Sequence, residues 1–495
     1  MNQTSKVIAK NTSVLMGSQF IMWILTMVWT IFMPRYLGAV GVGKIQFAVS
    51  LWMMLSVLIT CGTDVLLSKE IARNPERTPE LFGNAVVLRC LVFVLVYGAL
   101  AATLYFFAYP LTTIYVTGII GFACLGWQLS GACQAILQGL ERMEIFSFGQ
   151  IVGNAVHTAV GIMVLLMGAG IYVIATLTIL SAVANLMIQL YFLGRMYKLR
   201  LHFNRAIAWQ MLKAGVPYLF SNIFLVVYMQ LDIVILSALI DEKAIGWYGT
   251  ADRLFGTFLF IPSAYITAAF PALSRMFVSD LEPVKRLMSK SFDMLLLLAV
   301  PIGLGLLAIA NPLVVLLFGT DFANSGPVLA VMGIVLILTY QNMLIGRFLI
   351  SADRQNAWTI VMAIATFATI PLDILLIPWC ERFFANGAIG GGLSFVITEL
   401  AMVAVGLWLL PKGAIGRTNL WTAVRILIAG LGMVTVVWPF QHYFIAIPIG
   451  IGMVTYGLLV LLLRIIPQED FALLGELAHA LSQRLRRTPA AEISG

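Results

Sequence analysis

The chain is 495 residues long, 61% hydrophobic and 11% charged, with a mean hydropathy of +0.97. Soluble domains sit nearer half apolar and a quarter charged, which argues against a soluble enzyme, a disordered chain and a nucleic-acid-binding module. The net charge of +8 comes from 30 Lys and Arg scattered between long apolar runs, the pattern of loop charge on a membrane protein.

A membrane-spanning helix needs roughly 20 mostly apolar residues. Fourteen runs meet this, at approximately 12–33, 45–66, 84–108, 111–137, 149–169, 171–194, 215–238, 254–274, 291–318, 327–350, 356–379, 387–410, 420–440 and 444–466. The first is too long for a cleavable signal and is followed by no small-residue cleavage site, so it reads as a span. With the N-terminus in the cytoplasm, 25 of the 30 Lys and Arg fall on the inner side and 5 on the outer. A missed span would scramble this alternation, so the asymmetry predicts fourteen spans, two cytoplasmic termini and a multi-pass protein of the inner (plasma) membrane. The longest connections, around 195–214 and 275–290, are basic and inner. The tail after Pro467 carries Phe471, Leu474, Leu477, Leu481 and Leu485 before a basic cluster; it is either an interfacial amphipathic helix or a solvated tail.

The second and eighth runs resemble each other. Gly43 to Arg73 and Gly246 to Arg275 each open with a Gly after a short outer loop, with Ala five residues on (Ala48, Ala251) and Leu eight residues on (Leu51, Leu254). Each belongs to the second span of a set of six. An even number of spans returns the chain to the same side, so the two sets are expected to be parallel and related by an axis along the membrane normal. The predicted fold is therefore an all-α polytopic membrane protein. Residues 1–196 form an N-terminal six-helix lobe, 197–214 a basic cytoplasmic linker, 215–411 a C-terminal six-helix lobe, 412–466 two extra helices and 467–495 a cytoplasmic tail.

Polar groups within spans are costly and are read first as functional. Asp64, Arg89, Asp293, Arg347 and Arg425 lie near the inner edge, where the arginines either snorkel or join Lys69 and Arg73 in a basic mouth for an anionic head group. Glu399 lies mid-span, and Asp232 and Asp373 lie deep in runs 7 and 11. A charged carboxylate is expensive there: proton or cation coupling is one reading, a protonated or Arg-paired structural carboxyl the other. Gln128, Gln134, Asn154, Asn185, Gln189, Asn222, Gln230, Gln341 and Asn342 recur at depth and serve equally for binding sugars or for interhelical hydrogen bonds. Trp23, Trp52 and Trp127 lie within spans, and Trp247, Trp379 and Trp438 nearer the interfaces, where anchoring is the default. Cys61, Cys90, Cys124, Cys133 and Cys380 form no CxxC pair, and His157, His202, His442 and His479 are scattered, so neither disulfides nor a metal centre is predicted.

Three stretches resemble the polysaccharide transport family, the oligosaccharide flippases of the multidrug/oligosaccharidyl-lipid/polysaccharide exporter superfamily. They are PRYLGAVGVGKIQFAVS at Pro34–Ser50, AGVPYLFSNIFLVVYMQLDIVILSALIDEKAIGWYGTADRL at Ala214–Leu254, and LIP at 376–378 with NGAIGGGLSFVITE at 386–399. The resemblance implies translocation of a polyprenyl-pyrophosphate-linked oligosaccharide from the inner to the outer leaflet of a bacterial inner membrane. Lipid II flippases show a similar Ala-Asp-Arg-Leu string, here at 251–254, and by that likeness Arg253 becomes a candidate pyrophosphate ligand. The substrate-contacting set is thus Arg253, Asp252, Arg35, Arg89, Arg347, Gln341 and Asn342. The coupling set is Glu399, Asp232 and Asp373, with a proton or sodium ion as the small partner and no resident cofactor. Expected partners are the lipid-linked glycan and membrane lipids, with a polysaccharide polymerase and glycosyltransferases as neighbours, and no nucleic acid. In these span limits a head-group path finds no basic residue near mid-span of the first lobe: Arg35 and Arg253 fall at the outer edge and Arg89 at the inner. The runner-up function is a cation-coupled multidrug or metabolite antiporter of the same superfamily, where twelve spans are usual. A membrane glycosyltransferase or polymerase would need acidic residues clustered in a sizeable outer loop, and only Asp241, Glu242 and Asp252 lie in one.

Overall fold

In a computed structural model, residues 3–199, 201, 203–266, 281–352 and 354–465 are described; the side chains of 3–16, 221 and 281 are not. The tail after Pro467, Arg275 and the end of the eighth run lie outside the described residues. Among the described residues there are only helices and short connections. They are α1 (Gln3–Thr60), α2 (Thr63–Arg73), α3 (Thr78–Phe106), α4 (Leu111–Gly139), α5 (Met143–Leu166), α6 (Ile171–Met196), α7 (Arg205–Leu239), α8 (Glu242–Phe258), α9 (Leu281–Phe318), α10 (Ser325–Ser351), α11 (Gln355–Phe384), α12 (Ala388–Leu409), α13 (Arg417–Val437) and α14 (Ala446–Leu462). A further helical segment covers 260–266.

Among the described residues, eleven helices are long and apolar enough to cross a membrane. The number differs from fourteen for three reasons. The first two runs belong to one helix, the eighth passes into undescribed residues, and the last, Ala446–Leu462, is only 17 residues long. The outward surface is apolar: Leu95 is 73% exposed, Phe106 83% and Trp408 82%. Such a face suits lipid and not water, and helices satisfy their own backbone groups there.

Two starts are set by caps rather than by hydropathy. Asn204 accepts a hydrogen bond from the backbone N–H of Ala206, so α7 begins at Arg205, inside the stretch expected to be linker. Asp241 accepts from Ala244 N–H at 2.9 Å, so α8 begins at Glu242, twelve residues before the apolar run does. A side-chain oxygen at this position satisfies one of the orphan donors of the first turn.

α1 is two helical runs meeting at Gly38, whose φ of 65° is open to glycine at little cost. The break frees the N–H of Ala39, which donates to Asp321 Oδ2 at 2.7 Å. α1 packs with α4 and α5, and α4 and α5 with α6; α9 to α12 form a second packed group joined by α7 and α8. α13 and α14 lie against α9. The groups meet chiefly along α1 and α8.

That seam is built on glycines. A Cβ added at Gly43 would lie 1.9 Å from the carbonyl oxygen of Glu242, and one at Gly246 would lie 2.0 Å from that of Ala39. The two similar segments therefore touch reciprocally, each glycine under the carbonyl four residues before the other. Small residues permit such close helix approach. Lys44 braces the seam, with Nζ 3.3 Å from Glu242 Oε2 and 2.7 Å from Thr112 Oγ1.

Candidate functional site: a cavity between the helix groups

Between the first half of α1, α4, α5 and α8 lies a cavity of about 990 Å³. Its wall includes Ser18, Gln19, Trp23, Trp29, Gln134, Gln150, Asp252 and Arg253. A second cavity, of about 370 Å³, reaches into the first group between α1, α4, α5 and α6. Both are lined by Thr26, Trp29, Gln150 and Arg253, which stand at their junction. These volumes match those of pockets that hold small organic ligands, ~300–1,000 Å³.

Arg253 is the central cation of this space. It was expected at the outer edge; because α8 starts at Glu242, it sits in the fourth turn, roughly 16 Å along the helix axis. The expected lack of a basic residue on the path is corrected by the same shift: the residue comes from α8, not from the first set of spans. Arg253 Nε donates to Gln46 Oε1 at 3.1 Å and Nη1 lies 3.6 Å from Met33 Sδ. Among the described residues it forms no ion pair, so a surface pair with Asp252 or Asp241 is not its arrangement. A guanidinium has five N–H donors in a planar fork, and Gln46 and Met33 engage two of them. The rest are free for a two-oxygen anion such as a phosphate.

The aromatic wall is held by shape. Trp23 Nε1 donates to the Thr257 carbonyl at 3.0 Å and its ring stacks on Phe260. Trp29 fits against Gly161, where an added Cβ would be 2.4 Å from the indole. Gln46, Trp29 and Gln150 were not singled out from the sequence. A polar Gln46 inside an apolar run was the available signal.

The three deep carboxyl groups separate into two places. Glu399 on α12 is buried and not alone. It accepts from Tyr228 Oη at 3.0 Å, Thr339 Oγ1 at 2.9 Å and Asn342 Nδ2 at 2.9 Å, a closed cluster of α7, α10 and α12. Asp232 on α7 accepts from Tyr248 Oη at 2.6 Å. Asp373 on α11, fully buried, faces Asp232 and Ser394. Neither aspartate has a cationic partner among the described residues.

The other predicted residues stand elsewhere. Arg35 donates to the carbonyls of Leu316 and Leu317 at the C-terminal end of α9, where a cation suits the helix dipole. Arg89 does not snorkel: it is fully buried, paired with Asp64 and bonded to the Gln128 carbonyl and to Thr63 Oγ1. Arg347 is exposed on α10, away from both cavities. Gln341 is buried with neither side-chain polar atom hydrogen-bonded among the described residues, and Asn342 serves Glu399; neither lines either of the two cavities above. Of the predicted substrate set, Arg253 and Asp252 share the large cavity; Gln134 lines it too, and Asn154 and Asn185 line the smaller one.

Known proteins resemble this chain in sequence, in fold and in family. The chain is 23% identical over 248 residues to a probable low-salt glycan biosynthesis flippase of Haloferax volcanii, covering 49% of this chain and 52% of that protein. It is 23% identical over 189 residues to a probable flippase of the same organism, covering 37% and 38%. The chain thus matches about half the length of the first relative and less of the second. Among solved structures, it superposes on a lipid II flippase in an inward closed conformation with a TM-score of 0.72 at 15% identity, over 91% of this chain and 99% of that one. It superposes on an inward-facing multidrug resistance transporter of the MATE family with a TM-score of 0.62 at 15% identity, over 82% and 94%. These likenesses show a shared polytopic fold. Residues 8–277, more than half of the chain, match the model of the polysaccharide biosynthesis protein family, and the chain belongs to that family.

Proposed function

We propose that the protein is a flippase that moves a lipid-linked glycan across the plasma membrane by alternating access. The observation that carries this reading is Arg253: a cation in no ion pair among the described residues, opening a planar fork, beside Asp252, onto a cavity of about 990 Å³ between two helix groups. In such a site the guanidinium holds a pyrophosphate while the glycan occupies the cavity. Family membership and the two flippase relatives, matched over 52% and 38% of their lengths, support the same reading. The carrier we infer is a polyprenyl pyrophosphate, with both termini in the cytoplasm. The glycosyltransferases and polymerase that make and consume the glycan are its neighbours, and membrane lipids surround it.

The test is transport in proteoliposomes. Loss of one charge-assisted, two-pronged contact costs on the order of 1.5–3 kcal/mol, or roughly ten- to hundredfold in affinity. Arg253→Ala is expected to lose that much, and Arg253→Lys to recover part, since lysine keeps the charge without the fork. Near-normal transport by Arg253→Ala at equal expression would remove the reading.

A cation-coupled antiporter is the second reading, favoured by the Asp232 and Asp373 pair on α7 and α11. Within the flippase the same pair supplies the coupling site: two adjacent buried carboxyls, with no cationic partner among the described residues, are best stabilised by a proton or sodium ion shared between them. Transport by Asp373→Asn is expected to lose its dependence on the driving ion gradient. An unchanged dependence on both sodium and pH would exclude the pair.

A further inference from the structure

The smaller cavity is not needed for holding a pyrophosphate, yet it is the more polar and the more enclosed in helices. Asn154, Gln150 and His157 on α5, Thr178, Ser181 and Asn185 on α6, and Trp127 on α4 converge on it, with Trp29 and Arg253 at the mouth. The amides are only partly used. Asn154 Nδ2 donates to the Gln150 carbonyl at 3.1 Å, which leaves Oδ1 without a protein partner. Asn185 Oδ1 accepts from Gln189 Nε2 at 2.8 Å, which leaves Nδ2 likewise. His157 packs under Trp29 at 4.5 Å between ring centroids, its Nε2 buried and unbonded. Among the described residues that line it, His157 Nε2 is the one buried polar atom without a partner; the free amide atoms of Asn154 and Asn185, on half-buried residues, face the cavity, and the set suits a ligand rich in hydroxyl or amide groups. Among the described residues no carboxylate lines the cavity, and Arg253 is its one permanent cation.

We infer that this cavity is a subsite for one neutral sugar ring, the residue joined directly to the pyrophosphate, with the ring lying on Trp29 or Trp127 and its hydroxyl groups bonded by Asn154, Asn185 and Gln150. The inference rests on the flippase reading. Its added content is that the first sugar is recognised by the first helix group, next to Arg253, while later sugars lie in the larger cavity. The packing supports a built wall: Ser181 Oγ donates to the Gly153 carbonyl at 3.0 Å, and a Cβ at Gly153 would lie 3.1 Å from Asn185 Cβ, so α5 and α6 hold the amides in fixed register.

The experiment is binding to purified full-length protein in detergent micelles with three probes. These are a short-chain polyprenyl pyrophosphate without sugar, the same lipid carrying one neutral hexose, and the same lipid carrying one uronic acid. Wild-type protein is expected to bind the hexose probe about tenfold more tightly than the bare lipid, the worth of one or two net hydrogen bonds. The uronic acid probe gains nothing. Asn154→Leu leaves no protein donor orphaned, and Thr178→Phe fills the space from a different helix; each is expected to abolish the tenfold preference. Equal binding of bare and hexose lipids by wild type, or a preference retained in both variants, overturns the subsite while leaving Arg253 as head-group ligand. Tighter binding of the uronic acid probe overturns its neutral character. Failure of wild type to bind any of the three overturns the flippase reading itself.

Discussion

Glu399 and Arg89 show how a single position reads differently once its neighbours are known. Glu399 looked like an isolated acid at mid-depth, but three donors point at it, from Tyr228, Thr339 and Asn342. An amide in its place turns one acceptor into a donor against donors. Glu399→Gln is therefore expected to destabilise the protein by about 1–2 kcal/mol, seen as a lower unfolding midpoint in detergent, while its transport keeps the wild-type response to pH and sodium. An altered response would return Glu399 to the coupling set beside Asp232 and Asp373. Arg89 is buried against Asp64, whose side chain is 45% exposed. Breaking a fully buried pair costs about 3–5 kcal/mol; water at Asp64 screens this one, so Asp64→Ala is expected to cost about 1–2 kcal/mol by the same unfolding measurement. A neutral effect would show that the bonds to Gln128 and Thr63 suffice.

Among the helices, apolar length was a good guide where lipid covers a whole element. The runs at 171–194, 356–379 and 387–410 end within a few residues of α6, α11 and α12. It failed at α7 and α8, because Asn204 and Asp241 set those starts and the first turns face protein and polar ends rather than lipid. The error at α8 hid the site, since it moved Arg253 from depth to edge. Which amides face a cavity was not legible either: Gln189 and Asn154 each spend the NH2 within the protein and leave the oxygen over, but only Asn154 lines the smaller cavity, and only packing separates them. The repeat was legible, and its glycines supply a test. Gly43→Ala and Gly246→Ala each drive a methyl into a backbone carbonyl that cannot rotate away. Both are expected to lower the unfolding midpoint by similar amounts, and a large loss at one alone would show that the two contacts are not equivalent.

For the molecule as a whole, the distribution of Lys and Arg predicts an orientation of the bundle in the membrane. Cysteine labelling is expected to find residues 195–213 and 484–487 on the cytoplasmic side and 241–247 on the opposite side; labelling of 200 and 243 from one side would break the topology. The two helix groups then share one seam, and its reciprocal glycine contact has a mechanical meaning. Two equal contacts related by a half-turn straddle an axis, and a rotation about that axis treats both alike. Atoms beside it scarcely move, whereas a point a twenty-residue helix away, about 30 Å, travels about 10 Å for a turn of about 20°. The seam at Gly43 and Gly246 is in that sense a fulcrum. In the proposed alternating access, displacement is therefore expected to be least at these two glycines and greatest at the ends of the bundle, where the cavity would open and close.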